Sequence, residues 1–195
     1  YNGQMWPLPQ TGQMWLEHYL LEHPEEDGFF CLSTSYRNEP NPVEGRHEKI
    51  FPMFEFELKG GIDELRKVEM ELLDYLGFNK EGETMTYPRD DYDNIAKKYD
   101  VAELDNIHEE YIERDYGKAF FLENFPRRTS PFWNMKHSED KEHANKIDVI
   151  IHGIETIGSA ERSNDPSQMK EMFYTISGGG NANILFAGAP DSLNK

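Results

Sequence analysis

Residues 30–57, FCLSTSYRNEPNPVEGRHEKIFPMFEFE, decide the fold. Phe29 to Arg37 reads as a strand, Asn38 to Gly45 holds two prolines and a glycine, and Ile50 to Leu58 alternates as a second strand. The segment is therefore a hairpin with a long polar tip. Strand side chains alternate with period two, so Phe54, Phe56 and Leu58 share one face while Phe51, Met53, Glu55 and Glu57 share the other. The first face reads as core and the second as a site.

Upstream, Thr11 can cap a helix from Gly12 to Glu22, with Trp15, Tyr19 and Leu20 among its packing residues, and the turn at His23 to Gly28 ends it. Downstream, Gly60 and Gly61 break the strand. Ile62, Leu65, Leu72, Leu73 and Leu76 then fall at helical spacing, and Gly77 supplies a stop. Within the charged stretch Glu81 to Asp105, IAKKYD suits a short amphipathic helix, and nothing there carries legible chemistry. KAFFLENFP reads as a strand ended by Pro126, RRTSPFWNM as a turn into another, and HSEDKEHANK as a solvated connection. IDVIIHGIETIGSAER gives strand, turn at Gly153, strand. The last thirty or so residues are loop-like, with SGGGNAN read as a flexible linker.

A chain of 195 residues suits one domain with a sizeable core. Its 37% hydrophobic and 13% aromatic content argue for a folded body. A formal charge of -17 repels polyanions, so unaided binding to nucleic acid or an acidic membrane is not expected, and contact with RNA needs a local basic patch or a separate domain. One cysteine, Cys31, rules out an intramolecular disulfide framework and reads as strand filler rather than a nucleophile. No apolar run approaches a membrane span or a signal core, which makes a cytoplasmic protein the default. His137 and His143, in the charged connection, read as solvated rather than as zinc ligands.

Two groups of residues carry chemistry. Asp148, Glu155 and Arg162 are spaced by seven and seven. On a hairpin centred near Ile151 and His152 the two acids lie opposite one another, close enough to share a divalent cation such as magnesium. Arg162, an odd number of residues after Glu155, faces the other way unless a bulge, for which Gly158 and Ser159 offer a place, turns it back. The same spacing also suits a solvated surface hairpin. In the earlier hairpin, Arg37 ends the first strand and Arg46 with His47 stand on the tip, where they can converge on nucleotide phosphates while Phe51 stacks a base. Acids for magnesium and arginines for phosphate and substrate together suit activation of a carboxylic acid with ATP.

These residues carry a family resemblance. SYRNE with RHEKIF and MFEFE resembles the second signature of class II aminoacyl-tRNA synthetases. LPQTGQMWLE, FLENFPRRTSPFWNM and IDVIIHGIETIGSAER resemble the substrate-binding stretch, the strand-turn-strand segment and the acid, acid, arginine series of the asparaginyl and aspartyl enzymes, in register over about Pro9 to Arg162. The resemblance implies an α+β fold in which an antiparallel β-sheet is flanked by helices. It implies that Arg37 contacts the substrate carboxylate and the α-phosphate, Glu39 helps hold adenine, Phe51 stacks it, and Arg46 and His47 contact the outer phosphates. It further implies that Asp148 and Glu155 take magnesium, Gln13 contacts the amino acid and Arg162 reads its side chain. Leu16 stands where the aspartyl enzymes resemble one another in having a lysine, which tilts the expectation toward asparagine.

The family's first signature is missing before Tyr1, and its glycine-rich third signature is not matched after Arg162; the triple glycine at 178–180 lacks the arginine that should follow. The chain is accordingly expected to be a single catalytic-core domain over residues 1–195 and a fragment. The implied activity is ATP-dependent activation of aspartate or asparagine, with tRNA as acceptor through a missing domain and a homodimer at full length. An aspartate–ammonia ligase resembling asparagine synthetase, or a non-catalytic amino-acid-binding paralogue, are the other readings.

Overall fold

The computed structural model describes residues 8–37, 42–79, 86–139 and 141–176. The chain divides into two compact units, Tyr1–Gly60 and Gly61–Lys195.

In the first unit, helix α1 (Gln13–Glu22) precedes strands β1 (Gly28–Tyr36) and β2 (Ile50–Leu58), which pair antiparallel from Gly28 opposite Leu58 to Tyr36 opposite Ile50. Both strands stand where alternation predicts them. The faces do not. Phe30, Leu32 and Phe54, on the face expected to be core, are 71%, 79% and 55% exposed. The opposite face buries Ser35 and Glu55. The Glu55 carboxylate accepts from the Thr11 hydroxyl and from the Gly12 backbone N–H at 2.8 Å, with the Ser33 hydroxyl as a further donor. Burial alone would push the Glu55 pKa up, but the hydrogen bonds from Ser33, Thr11, Gly12 and Gln13 outweigh it and hold the carboxyl below the ordinary range. Thr11 thus ties the start of α1 to β2, and its Oγ1 also accepts from the Gln13 N–H at 3.0 Å. Leu16, not Trp15 or Tyr19, is the buried residue of α1.

In the second unit, helix α2 (Ile62–Tyr75) ends at Gly77, whose φ of 87° only glycine adopts freely. Strand β3 (Arg89–Asp91), helices α3 (Tyr92–Lys98) and α4 (Asn106–Tyr116), strands β4 (Ala119–Pro126), β5 (His143–Ile151) and β6 (Ile154–Ala160), and helix α5 (Pro166–Ile176) follow. The four strands form one sheet in the order β3-β4-β5-β6, antiparallel except for the three-residue β3, which runs parallel to β4. The architecture is the expected one, antiparallel sheet flanked by helices.

β4 is buried on both faces, which explains the apolar run from Ala119 to Leu122. Phe120, Leu122 and Phe125 pack with Ile150 against Tyr92 and Ile95 of α3 and Ile112 of α4. Phe121, Ile147 and Val149 pack against Leu73 of α2. The turn joining β5 to β6 uses His152 at φ 50° and Gly153 at φ 69°, the left-handed pair that a two-residue hairpin demands.

Four further expectations need correction. RRTSPFWNM turns through a single 3-10 turn at Arg127–Thr129 but leads only to an isolated bridge of Met135 with Arg162, not to a strand. The connection HSEDKEHANK is partly strand, because β5 starts at His143. His137 is buried, 9% exposed, and bridges Ala144, while His143 is only partly solvated, its Nε2 lying 3.0 Å from Asp93 Oδ2. The final stretch is not all loop, since α5 occupies its start. The glycines at 178–180 lie outside the described residues.

Candidate functional site

β5 and β6 position the acids. Asp148 stands opposite Gly158 and Glu155 opposite Ile150, so the two acids are not direct partners as the seven-residue spacing suggested. The register shifts between Val149 opposite Ile157 and Ile150 opposite Glu155, which leaves Thr156 as an extra residue on β6. One inserted residue makes the odd interval even. Glu155, Gly158, Ala160 and Arg162 therefore take the parity of Asp148, and the bulge lies nearer the turn than Gly158 and Ser159.

A Cβ built on Gly158 would stand 2.8 Å from Glu155 Oε1 and 3.6 Å from Asp148 Oδ1. The two carboxylates thus converge over a bare glycine. Asp148 is 4% exposed, and its Oδ1 is buried without a hydrogen-bond partner. Its Oδ2 is paired with the ammonium of Lys146, two residues back on the same face, which lies 3.7 Å from the Phe125 ring centroid. Burial pushes the Asp148 pKa up, against the pull of Lys146 and with the charge of Glu155. An orphaned oxygen and a second carboxylate over an empty Cβ position fit a divalent cation such as magnesium. Among the described residues no third His, Cys, Asp or Glu completes a cluster, so such an ion would take its other ligands from phosphate oxygens and water.

The pair opens into a cleft of about 350 Å³ walled by Phe125, Phe132, Glu109, Lys146, Asp148 and Glu155. Glu109, on α4, accepts the Glu155 backbone N–H at 3.0 Å and fixes the start of β6. Arg162 forms a β-bridge with Met135, and its Nη1 donates to Asn134 Oδ1 at 3.1 Å.

In the first unit, Arg37 follows β1, its N–H donating to Lys49 O at 2.8 Å, and its guanidinium carbon lies 5.3 Å from the Phe51 centroid. Arg46 and His47 sit in the tip, both backbone N–H groups donating to Val43 O. Gln13 opens α1, and its Nε2 donates to Phe56 O at 3.1 Å and Glu57 Oε2 at 2.7 Å. Glu39 lies outside the described residues. Arg37 and Phe51 are thus brought together in one unit, and Asp148, Glu155 and Arg162 share one parity in the other. Cys31, half-buried in β1, lies 3.9 Å from Glu55 Oε2, and burial together with that carboxylate pushes its thiol pKa up, away from nucleophilic use.

The sequence reading missed Lys146, Glu109 and Asn134. Period-two alternation could have flagged Lys146, since it shares the parity of Asp148. Glu109 and Asn134 reach the site from other elements and leave no local signal.

A family profile described as tRNA synthetases class II (D, K and N) matches residues 1–182. The aspartate–tRNA(Asp) ligase of Thermoplasma acidophilum is 25% identical over 168 residues, covering 80% of this chain and 37% of that protein. The aspartate–tRNA(Asp) ligase of Pyrobaculum aerophilum is 29% identical over 107 residues, covering 51% of this chain and 24% of the relative. In fold, the chain is similar to the asparaginyl-tRNA synthetase from Pyrococcus horikoshii complexed with asparaginyl-adenylate, with a TM-score of 0.74 and 20% identity over 87% of this chain and 45% of that one. It is also similar to the aspartyl-tRNA synthetase from Entamoeba histolytica, with a TM-score of 0.70 and 18% identity over 93% and 44%. The chain therefore spans less than half the length of each of these proteins. On the profile match over nearly its whole length, the chain belongs to the class II tRNA synthetases of the D, K and N group.

Proposed function

We propose that the full-length protein joins ATP to aspartate or asparagine, forming an aminoacyl adenylate and releasing pyrophosphate, and passes the acyl group to tRNA. The observation that carries this reading is the convergence of Asp148 Oδ1 and Glu155 Oε1 over Gly158, in a member of a family of tRNA ligases. The curated relatives named above are aspartate–tRNA ligases, and one structural neighbour holds asparaginyl-adenylate.

In the reaction, a carboxylate oxygen of the amino acid attacks the α-phosphorus, the bond from that phosphorus to the bridging oxygen breaks, and pyrophosphate leaves with the electron pair. Asp148 and Glu155 would hold magnesium, which when bound neutralises phosphate charge. Arg37 meets the two anions that must approach each other, the substrate carboxylate and the α-phosphate, and its fixed charge and planar fork suit both. Removing one such donor costs about 3 to 4 kcal/mol of the barrier reduction. Arg46 and His47 take the outer phosphates. Phe51 stacks adenine with help from Glu39, and Gln13 contacts the amino acid. Arg162 reads the side chain, grasping a carboxylate by two parallel hydrogen bonds or an amide through its oxygen.

The protein is proposed to work in the cytoplasm as a homodimer. Among the described residues no helix is long and apolar enough to cross a membrane. With a net charge of -17, tRNA contact falls to a local basic patch or a separate domain.

The test is ATP–pyrophosphate exchange by the full-length protein across a panel of amino acids. Exchange with aspartate or asparagine, lost in Arg37→Ala, is the expected result. Exchange with lysine alone, or none with any amino acid, contradicts the reading. Exchange followed by asparagine formation from ammonia, without tRNA charging, would replace the acceptor.

A further inference from the structure

We propose that Asn134 is a positioning residue that sets substrate specificity: its side-chain oxygen holds the Arg162 guanidinium in place without adding negative charge to it. The inference rests on the reading of Arg162 given above.

Asn134 is 1% exposed, in the turn that leads into Met135. Its Oδ1 accepts from Arg162 Nη1 at 3.1 Å, and its backbone carbonyl accepts the Ser163 N–H at 2.8 Å. Met135 bridges Arg162 itself. Main chain and side chain of residues 134–135 therefore both track residues 162–163. The next step is equally fixed: the Lys136 N–H donates to Glu161 O at 2.8 Å, the Asn145 N–H to Lys136 O at 2.8 Å, and the Glu161 N–H to Asn145 O at 2.9 Å. A guanidinium anchored to such a weave keeps its orientation before substrate arrives, which lowers the ordering cost of binding.

The choice of acceptor matters as much as its place. A carboxylate at position 134 would hold the arginine more tightly but would cancel the charge that an acidic side chain needs. The amide is polar and neutral. The carboxylate next to Arg162 in sequence, Glu161, is committed elsewhere, to Lys136 Nζ at 2.7 Å and Asn145 Nδ2 at 2.8 Å. Those contacts hold its pKa low against the opposing effect of burial and fix it as an anion with its own cation. Glu161 is thus paired with Lys136, and Asn134 gives the arginine an uncharged hydrogen-bond partner.

Asn134→Asp changes one NH₂ to an oxygen at nearly constant volume and places an anion against Arg162. Asn134→Ala removes the anchor and leaves the charge. The two variants separate charge from position. The measurements are kcat/KM in pyrophosphate exchange for aspartate and for asparagine, or inhibition of exchange by whichever is not activated, with KM for ATP and melting temperature alongside.

For Asn134→Asp, the ratio of aspartate to asparagine recognition is expected to fall about tenfold or more, because a second carboxylate now competes for the same cation. KM for ATP should stay within about twofold. For Asn134→Ala, both amino acids should weaken together and the ratio should hold. An unchanged ratio in a folded Asn134→Asp protein that still exchanges overturns this inference and leaves the proposed function standing. A wild-type protein that neither activates nor is inhibited by either amino acid overturns both.

Discussion

Lys146 is the ion-pair partner of Asp148, and the side chains retain only 19% and 6% of their exposure. The ammonium also lies over the Phe125 ring, so it is held from two sides. Breaking a buried pair by removing one partner leaves an uncompensated charge, which costs about 3 to 5 kcal/mol. Lys146→Met should therefore lower unfolding free energy by about 3 kcal/mol, measured by urea titration. Lys146→Met combined with Asp148→Asn should recover part of that loss. A double variant as unstable as the sum of the singles would show that the two residues do not act as a pair.

Gly158→Ala separates folding from site chemistry. The added Cβ meets Glu155 Oε1 at 2.8 Å, the far end of a flexible exposed side chain that can swing aside. Stability should change by less than about 1 kcal/mol, while exchange activity falls about tenfold or more because the carboxylates no longer converge. Full activity in Gly158→Ala would remove the significance of the bare glycine.

Phe51 and Arg37 lie within cation–π distance, 5.3 Å, beside the proposed adenine position. Base stacking on an aromatic contributes about 1 to 3 kcal/mol by alanine substitution. Phe51→Ala should raise KM for ATP about tenfold and leave KM for the amino acid nearly unchanged. Equal effects on both constants would argue that Phe51 supports the hairpin and not the base.

Glu69 on α2 is fully buried, with neither carboxyl oxygen hydrogen-bonded. The nearby Ser159 hydroxyl donates instead to Ile147 O at 3.4 Å. Burial pushes the Glu69 pKa from 4.5 to about 7, with Asp148 and Glu123 adding to the rise and Arg66 opposing it. The folded state then keeps a proton that the unfolded chain releases, so this group's contribution to stability falls as pH rises from about 4.5 to about 7 and is level outside that window. Glu69→Gln should gain on wild type by about 2 to 3 kcal/mol between pH 4.5 and pH 8, read from urea midpoints. A difference independent of pH would show that Glu69 does not titrate in that window.

The strands of the first hairpin were legible because alternation and Gly or Pro punctuation are local; β2 has the predicted bounds and β1 differs by one residue at each end, whereas the three-residue β3 carries no such pattern. Which face is buried was not legible. The N-terminal segment packs on the Glu55 side through hydroxyl and amide contacts that an apolar pattern cannot register. α4 escaped notice because its buried residues are His108 and Ile112, a single buried aliphatic among eleven positions. The start of β5 is polar, as HANK, yet it pairs with β4 and meets His137 in an isolated bridge, partners that lie outside the segment itself. That Asp148 and Glu155 stand on neighbouring strands was readable from spacing, their register was not, and Arg162 could share their face only through a bulge. Its place at Thr156, between the pairs Ile150–Glu155 and Val149–Ile157, leaves no signal in the spacing of the charged residues.

The most direct test of the central claim is manganese binding to the full-length protein, followed by electron paramagnetic resonance with and without ATP. ATP should strengthen binding at one site, and Asp148→Asn and Glu155→Gln should each weaken it about tenfold or more while the proteins stay folded. Undiminished manganese binding in the folded double variant, with ATP present, would contradict it.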